Sequence, residues 1–216
     1  MAVVGSVNLD LVARVPRLPA PGETLTAHGV ARVPGGKGAN QALAAARLGA
    51  RVRLHAAVGD DPLAGEALAL LRAGGVDLDA VRAVDRATGT AMVQVDDTGE
   101  TTIVVDAAAN AALTVTPDEL EADVVLTVLE VPDAAVATAM AAPGFTVLNA
   151  APARPVDPAV LGALDLLVVN RAEHDALAAT ADLDAVAAVA ITHGAAGAEL
   201  RRRGRVAARA APPAVE

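Results

Sequence analysis

The 216-residue sequence contains no cysteine, no tryptophan and no tyrosine, and its single phenylalanine is Phe145. Without cysteine the chain forms no disulfide and has no thiolate for catalysis or metal binding. A hydrophobic core without aromatic rings must consist of alanine, valine and leucine, which favours small side chains and closely packed backbones. Because hydrophobic residues make up 54% of the sequence, the chain has enough of them for one large domain.

Positive charge is also scarce, since 26 acidic and 17 basic residues leave a formal net charge of −9. Nucleic acids and anionic membranes attract basic surfaces, so neither is expected as a partner. The single basic run, Arg201-Arg202-Arg203-Gly204-Arg205, is predicted to be a solvated hairpin turn. No apolar run is long enough to cross a membrane, and no signal peptide precedes the strand-like Ala2-Val3-Val4, which predicts a cytoplasmic protein.

The most distinctive stretch is Gly35-Gly36-Lys37-Gly38-Ala39-Asn40, which runs directly into the alanine-rich, helix-forming segment 41–49. Glycine lets backbone N–H groups approach a ligand, and a helix N-terminus offers unpaired donors with a partial positive charge. Lys37 adds a cation, and Asn40 can both donate and accept hydrogen bonds. The pattern suits a polyhydroxylated or anionic small molecule, and an ordinary loop-to-helix turn is the alternative.

Two common phosphate-binding motifs do not fit this stretch. A Walker A loop requires serine or threonine after the lysine, where this sequence has Gly38. The dinucleotide-binding fingerprint requires a third glycine where Gln41 stands. The stretch therefore belongs to neither class.

Strand-like and helical segments alternate along most of the chain. Strands are predicted at 51–58, 124–129, 145–148, 164–169 and 189–192, and helices at 63–73, 134–141, 158–161, 171–180 and 183–186. This alternation predicts an α/β fold with a doubly wound, mainly parallel sheet and helices on both of its faces.

Two pairs of strands depart from this rhythm because no helix separates their members. Segments 11–15 and 25–33 alternate around prolines, and segments 90–95 and 101–105 flank an Asp/Gly turn typical of a hairpin. They predict a small four-stranded β-sheet that leaves the main domain at about 11–34 and 89–105. We interpret this sheet as a candidate lid, whose unpaired edges would allow a homodimer.

Polar residues follow one predicted strand after another. They are Asn8, Asp60, Glu130, Asn149, Asn170 and Thr192. The carboxyl ends of parallel strands meet at one edge of a sheet, where ligands bind, although asparagine and aspartate at such positions often cap helices instead. Asn8 and Asp10 are two residues apart, so an extended backbone would direct both to one side. A turn in which both bond their own backbone is the alternative.

Taken together and in order, these motifs resemble those of the ribokinase-like sugar kinases, the phosphofructokinase-B type. The segments that carry the resemblance are Gly5-Ser6-Val7-Asn8-Leu9-Asp10, Pro21-Gly22-Glu23-Thr24, the stretch from Gly35 to Ala42, Gly59-Asp60-Asp61 with Gly65, Asn110-Ala111-Ala112-Leu113, Asn149-Ala150-Ala151-Pro152-Ala153-Arg154, Asn170 with Glu173, and Thr192 with Gly194 and Gly197. The resemblance extends over essentially all of residues 1–216. It implies one α/β domain with a β-sheet lid over a sugar.

The resemblance also implies a reaction, the transfer of the γ-phosphoryl group of ATP to a primary sugar hydroxyl, with D-ribose as the expected substrate and ribose 5-phosphate as the product. The residues that match sugar-binding positions are Asn8, Asp10, Gly36, Lys37, Asn40 and Glu130. Those that match nucleotide-binding positions are Asn170, Thr192, Gly194 and Gly197. Glu173, together with Asn170, matches the element that organises Mg²⁺ through water, and a monovalent cation such as K⁺ is implied as well.

One element of the family pattern does not occur in this sequence. The family continues into a D-T-x-G-A-G-D segment, whose glycines form an anion hole and whose aspartate is the catalytic base. The present sequence has Pro212-Pro213-Ala214-Val215-Glu216 at the corresponding place, so it contains no identifiable base. Two hypotheses stay open. The chain is either the sugar-binding N-terminal portion of a kinase, or a non-catalytic sugar-binding or assembly paralogue.

Overall fold

The computed structural model describes residues 1–212 and divides the chain into two compact units. The first unit comprises Met1–Val4 and the chain from Thr114 onward, and the second comprises Gly5–Leu113. Residues 213–216, where the sequence departs from the family pattern, lie outside the described residues. No helix in residues 1–212 is long and apolar enough to span a membrane.

The elements follow the predicted alternation closely. The strands are β1 Ala2–Val4, β2 Asn8–Arg14, β3 Gly29–Gly35, β4 Arg53–Gly59, β5 Val81–Val84, β6 Gly89–Val95, β7 Thr101–Asp106, β8 Val124–Val128, β9 Phe145–Asn149, β10 Leu166–Asn170, β11 Val189–Thr192, β12 Ala198–Arg202 and β13 Arg205–Ala210. The helices are α1 Lys37–Arg47, α2 Pro62–Ala67, α3 Ala69–Ala73, α4 Asp133–Met140, α5 Pro158–Ala163 and α6 Arg171–Ala178. Short 3-10 turns lie at Ala108–Ala112, Pro117–Leu120, Leu183–Ala185 and Gly194–Ala196.

In the first unit the strands form a sheet in the order β13-β12-β11-β10-β9-β8-β1. In this sheet the neighbouring pairs β1 and β8, β8 and β9, β9 and β10, and β10 and β11 are parallel. Strands β12 and β13 add an antiparallel hairpin next to β11. Helix α4 packs against β8 and β9, and helix α6 packs against β10 and β11. Parallel strands joined through helices confirm the predicted α/β class and its mainly parallel sheet.

The core of the first unit is aliphatic, as the lack of aromatic residues predicts. Val125, Leu148 and Leu167 on adjacent strands are fully buried. Phe145, at the start of β9, is 49% exposed and contributes little to the core. Because valine and leucine offer less area per side chain than aromatic rings, this core depends on many small contacts at close packing.

The second unit contains a separate four-stranded sheet in the order β3-β2-β6-β7 and the parallel pair β4 and β5. Strand β2 pairs antiparallel with β3 and parallel with β6, and β6 and β7 form a hairpin. In the hairpin turn, the Asp96 side chain accepts from the N–H groups of Thr98 at 2.9 Å and Glu100 at 3.0 Å. The two predicted strand pairs therefore belong to one sheet, while its role as a lid stays a prediction.

Several predicted boundaries are wrong, each for a local reason. The segment 63–73 forms two helices because Leu68 ends α2 and begins α3. The strand predicted at 25–33 begins only at Gly29, because its partner β2 ends at Arg14 and offers no further pairing. The helix predicted at 183–186 is a single 3-10 turn. Strand β5 was not predicted, since its four residues show no clear alternation of apolar and polar side chains.

Candidate functional site

The glycine stretch enters α1 through a turn with almost no space for side chains. Gly36 adopts φ 92° and ψ 131°, in the left-handed half of conformational space that glycine tolerates. A Cβ on Gly36 would lie 2.7 Å from the carbonyl oxygen of Ser6. A Cβ on Gly38 would lie 2.5 Å from both Gly5 Cα and the Ser6 nitrogen. The first turn of α1 therefore packs directly on the backbone that leads into β2.

Ser6 holds this contact together and is fully buried. The N–H of Gly38 donates to Ser6 Oγ at 3.2 Å, and the N–H of Ala39 donates to the Ser6 carbonyl oxygen at 2.9 Å. Both donors are among those that a helix N-terminus leaves unpaired. Since the fold itself uses them, this helix end has fewer donors for an anion than the sequence suggests.

Asn8 is held by hydrogen bonds from a second buried amide, Asn110. Asn110 Nδ2 donates to Asn8 Oδ1 at 2.8 Å and to the Val7 carbonyl oxygen at 3.2 Å, and the N–H of Val7 donates to Asn110 Oδ1 at 2.9 Å. Asn8 is 3% and Asn110 1% exposed. The bond to Asn8 Oδ1 fixes which end of the Asn8 amide faces Asn110, and the two bonds to Val7 hold Asn110 in place.

Asp10 lies two residues farther along β2, on the same face as Asn8. It pairs with Val33 on β3 and Ala91 on β6. A Cβ on Gly35, which pairs with Asn8, would overlap the Asp10 carboxylate. Glycine at this position therefore provides the room that the carboxylate occupies, and the alternative in which Asn8 and Asp10 form a turn is wrong.

Lys37 and Asn40 lie three residues apart in the first turn of α1, and residues at this spacing are neighbours on a helix surface. Lys37 is half-buried and Asn40 is exposed. The second unit thus brings five of the six predicted sugar-binding residues onto one short strand and the adjoining helix end. The sixth, Glu130, belongs to the first unit, in the turn between β8 and α4.

The ends of three neighbouring parallel strands of the first unit carry polar residues that were predicted to follow strands, and two of them, Asn170 and Thr192, are predicted nucleotide-binding residues. Strands β9, β10 and β11 end at Asn149, Asn170 and Thr192, and the register pairs Asn149 with Val168 and Asn170 with Thr192. These predicted strand ends therefore do meet at one edge. Asn8 is an exception to the predicted row, because it begins β2 of the separate sheet instead of ending a strand.

Asn170 and Glu173 form a capping box at the start of α6. The N–H of Glu173 donates to Asn170 Oδ1 at 2.8 Å, and the N–H of Asn170 donates to Glu173 Oε2 at 2.8 Å. These two bonds satisfy N–H groups that α6 would otherwise leave unpaired, so the pair has a structural role. The box uses one side-chain oxygen of each residue.

The donor set around Glu173 fits Mg²⁺ only as an ion that keeps most of its water. No group of three histidine, aspartate or glutamate residues in residues 1–212 is arranged to hold a metal ion. Mg²⁺ prefers oxygen ligands, dehydrates reluctantly and is commonly held by one or two carboxylates. The second carboxylate oxygen of Glu173 is of the right type for such an ion.

The turn after β11 is built from glycines in left-handed conformations. Gly194 has φ 56° and Gly197 has φ 95°. The N–H of His193 donates to the Gly197 carbonyl oxygen at 2.7 Å, and a Cβ on Gly197 would overlap the Ala210 carbonyl group. Beside this turn lies a cavity of about 480 Å³ whose lining includes Arg171, His193 and Arg209. The sequence did not single out either arginine, because neither lies in a glycine-rich motif.

Two carboxylates, one in each unit, have structural partners that favour their ionised form. Glu199 is buried and accepts from Arg201 Nε at 2.7 Å and Arg209 Nε at 2.8 Å, and these two bonds hold the pKa of Glu199 below its ordinary value. Asp61 accepts from the N–H of Thr88 at 2.7 Å and from its hydroxyl at 2.8 Å, which lowers the pKa of Asp61. A carboxylate stabilised in this way is a weak base, so neither suits proton abstraction.

A family model described as pfkB family carbohydrate kinase matches residues 1–216. The chain belongs to the pfkB family of carbohydrate kinases. The ribokinase of Haemophilus influenzae is 34% identical over 200 residues, covering 88% of this chain and 65% of that protein. The chain therefore spans slightly less than two thirds of the length of that relative.

Solved structures give the same answer for the fold. The ribokinase of Thermotoga maritima matches with a TM-score of 0.86 and 27% identity, covering 100% of this chain and 77% of that one. The ribokinase of Arabidopsis thaliana, solved in complex with ribose and ATP, matches with a TM-score of 0.80 and 29% identity, covering 94% of this chain and 75% of that one. The ribokinase-like α/β fold is confirmed.

The close contact at Gly38 is testable against a matched glycine of this pfkB family chain. We expect Gly38→Ala to destabilise the protein by about 1–3 kcal/mol, because the added Cβ meets rigid backbone. Gly65 in α2 has nothing within 4 Å of its would-be Cβ, so Gly65→Ala should stabilise by about 0.5–1 kcal/mol. Urea unfolding of both variants measures the difference. Similar stabilities for the two variants would contradict the role of Gly38 in packing.

Proposed function

We propose that this chain provides the sugar-binding part and a portion of the nucleotide-binding part of an ATP-dependent sugar kinase, with D-ribose as the substrate. The observation that carries the proposal is the arrangement in the second unit. Asn8 and Asp10 share one face of β2, beside the crowded glycine turn that begins α1. The Arabidopsis ribokinase, solved with ribose and ATP, supports the same pair of small molecules.

The chemistry of the proposed sugar site follows from its donors and acceptors. A sugar hydroxyl donates and accepts at once, so a site for it needs both kinds of group. Asp10 would accept, Lys37 would donate, and Asn8 would donate through its Nδ2, since its Oδ1 already accepts from Asn110. Gly36 would allow the sugar to approach the backbone, and Asn40 would add an amide. Glu130 of the first unit is proposed as a further acceptor.

The proposed nucleotide side lies at the ends of β10 and β11. Asn170, Thr192, Gly194 and Gly197 would contact the nucleotide there, and Glu173 with Asn170 would hold Mg²⁺ through water. Arg171 and His193 along the neighbouring cavity are suited to a polyanion such as a triphosphate, whereas Arg209 is paired there with Glu199. Mg²⁺ would neutralise charge that develops on the phosphates. A role for K⁺ is proposed together with the D-T-x-G-A-G-D segment of the family.

Asp10 provides the most direct test of sugar binding. We expect Asp10→Ala to weaken ribose binding by roughly 1.5–3 kcal/mol, because a charge-assisted hydrogen bond to a hydroxyl is lost. Isothermal titration calorimetry with a panel of pentoses measures this and identifies the preferred sugar. Asp85→Ala, which removes an exposed carboxylate of the same unit, is the control. Equal ribose affinity for the Asp10→Ala variant and the unmodified protein would remove Asp10 from the site.

We propose that the four-stranded sheet acts as a lid over the sugar and that its opposite face contacts a second copy of the chain. The face of this sheet that carries Asp10 would close over the sugar. The opposite face carries Leu11, Met92 and Val104, which the register places side by side and which are 40%, 57% and 56% exposed. An exposed apolar row of this kind is suited to an interface between copies.

Hydrogen exchange tests both roles of the sheet. We expect exchange in segments 25–33 and 90–105 to slow when ribose is added, because closure would order the sheet. Exchange in the same strands should become faster on dilution if a second copy covers them. If neither ribose nor dilution changes exchange in these segments, the sheet is neither a lid nor an interface.

Phosphoryl transfer needs a base near the attacking hydroxyl and a cradle for the γ-phosphate. Neither Asp61 nor Glu199 is suited to be that base, and the sequence contains no D-T-x-G-A-G-D segment, so we expect the 216-residue polypeptide to bind ribose but to show little ADP release. The same residues followed by a D-T-x-G-A-G-D segment should be faster by a factor of at least about 10², the usual contribution of a general base. A coupled assay with ribose, ATP, Mg²⁺ and K⁺ compares the two polypeptides.

The same assay separates the two functions. Replacing the aspartate of the added segment by asparagine should abolish turnover if the chain is part of a kinase. Robust turnover by the 216-residue polypeptide alone would mean that another carboxylate is the base. Sugar binding without turnover in either polypeptide would favour the non-catalytic paralogue.

A further inference from the structure

Arg154 makes an unusual set of contacts in the first unit. It ends the segment Asn149–Arg154, which the sequence analysis singled out without assigning a role. Its Nε donates to the carbonyl oxygen of Leu129 at 3.1 Å, and its Nη2 donates to the carbonyl oxygen of Val131 at 3.1 Å. These two carbonyl groups flank Glu130, the proposed acceptor for the sugar.

The third nitrogen of the same guanidinium group, Nη1, pairs with the carboxylate of Asp133 at the start of α4. The backbone N–H of Leu129 donates to the carbonyl oxygen of Ala151 at 3.1 Å, which ties the same turn to the segment that carries Arg154. An arginine presents its N–H groups in a rigid planar fork, whereas a lysine is a point charge on a flexible stem. Only arginine can therefore hold both carbonyl groups and the carboxylate together.

The turn around Glu130 has one residue that is not buried. The side chains of Leu129 and Val131 are 4% and 5% exposed, whereas Glu130 is half-buried. Buried neighbours fix the position of the turn, and the guanidinium fork fixes the orientation of the peptide group before Glu130 and of the one after Val131. The direction in which Glu130 leaves the backbone is thereby set from outside the residue itself.

We propose that Arg154 is a positioning residue for sugar binding, which acts by holding the backbone on both sides of Glu130. This proposal rests on the proposed sugar kinase function and on the role of Glu130 in it. The pair between Arg154 and Asp133 would not suffice alone, since Asp133 is 86% exposed and exposed ion pairs contribute little. The two charge-assisted bonds to backbone carbonyl groups carry the effect.

A double-mutant cycle tests the proposal by calorimetry with ribose. We expect Glu130→Gln to weaken ribose binding about tenfold, as loss of one charge-assisted hydrogen bond does. Arg154→Ala should weaken it by a similar factor, and the double variant should bind about as well as either single variant. If Arg154 acts through Glu130, the two losses of binding free energy are not additive. If Arg154 has a purely structural role, the two losses of binding free energy add. Arg154→Lys should stay weak because it keeps the charge but not the fork.

Arg53→Ala is the matched control, because Arg53 also pairs with an aspartate, Asp77, at 2.7 Å but belongs to the second unit, whereas Glu130 belongs to the first. Its ribose affinity should equal that of the unmodified protein. If Arg154→Ala does not fold, Arg154→Lys replaces it in the cycle. That variant keeps the positive charge and a long side chain but cannot hold both carbonyl groups.

The possible outcomes distinguish the role of Arg154 from the proposed sugar-binding function. Additive losses, or unchanged affinity in Arg154→Ala while Glu130→Gln binds weakly, would overturn the role of Arg154 and leave the sugar site intact. Unchanged affinity in Glu130→Gln would remove Glu130 from the site and overturn this proposal with it, whereas the Asp10 experiment would still judge sugar binding. Non-additive losses with an unaffected Arg53→Ala variant would support the proposal.

Discussion

The contact between the first turn of α1 and the backbone of Gly5 and Ser6 is the interaction on which the proposed sugar site depends. It requires glycine at positions 36 and 38, because a single Cβ at either would meet backbone atoms at 2.5–2.9 Å. Two buried hydrogen bonds to Ser6 then lock the helix end in place. Lys37 and Asn40 on the helix and Asn8 and Asp10 on β2 take their positions from this contact.

Several polar residues of the candidate site have structural partners as well as proposed ligands. Asn170 and Glu173 cap α6, and Asn110 holds Asn8. A capped or buried amide has one orientation, so the side-chain atoms left for a ligand are already positioned before it binds. Structural and binding roles of the same residue are therefore compatible, and the presence of a cap does not argue against a site.

Hydrogen bonds to the carboxylates of Asp61 and Glu199 give these two acidic residues structural roles. Asp61 and Glu199 each accept two or more bonds that favour the charged form, so their protonation does not change near neutral pH. Such groups hold elements together, Asp61 by joining the start of α2 to Thr88 and Glu199 by joining β12 to β13. Neither residue is therefore suited to be the base for phosphoryl transfer, the role expected of the family's D-T-x-G-A-G-D aspartate.

The sequence by itself determined the fold class and the strand ends at Asn149, Asn170 and Thr192, and it supplied the candidate site residues, whose roles stay proposals. It did so because these depend on local patterns: apolar runs mark buried strands, glycine runs mark tight turns, and the order of the motifs marks the family. Tertiary structure alone decided that Gly38 faces Ser6, that Asn110 orients Asn8, and that Arg154 reaches the carbonyl groups on both sides of Glu130. These contacts join residues that are 32, 102, 25 and 23 positions apart, so no local pattern in the chain encodes them.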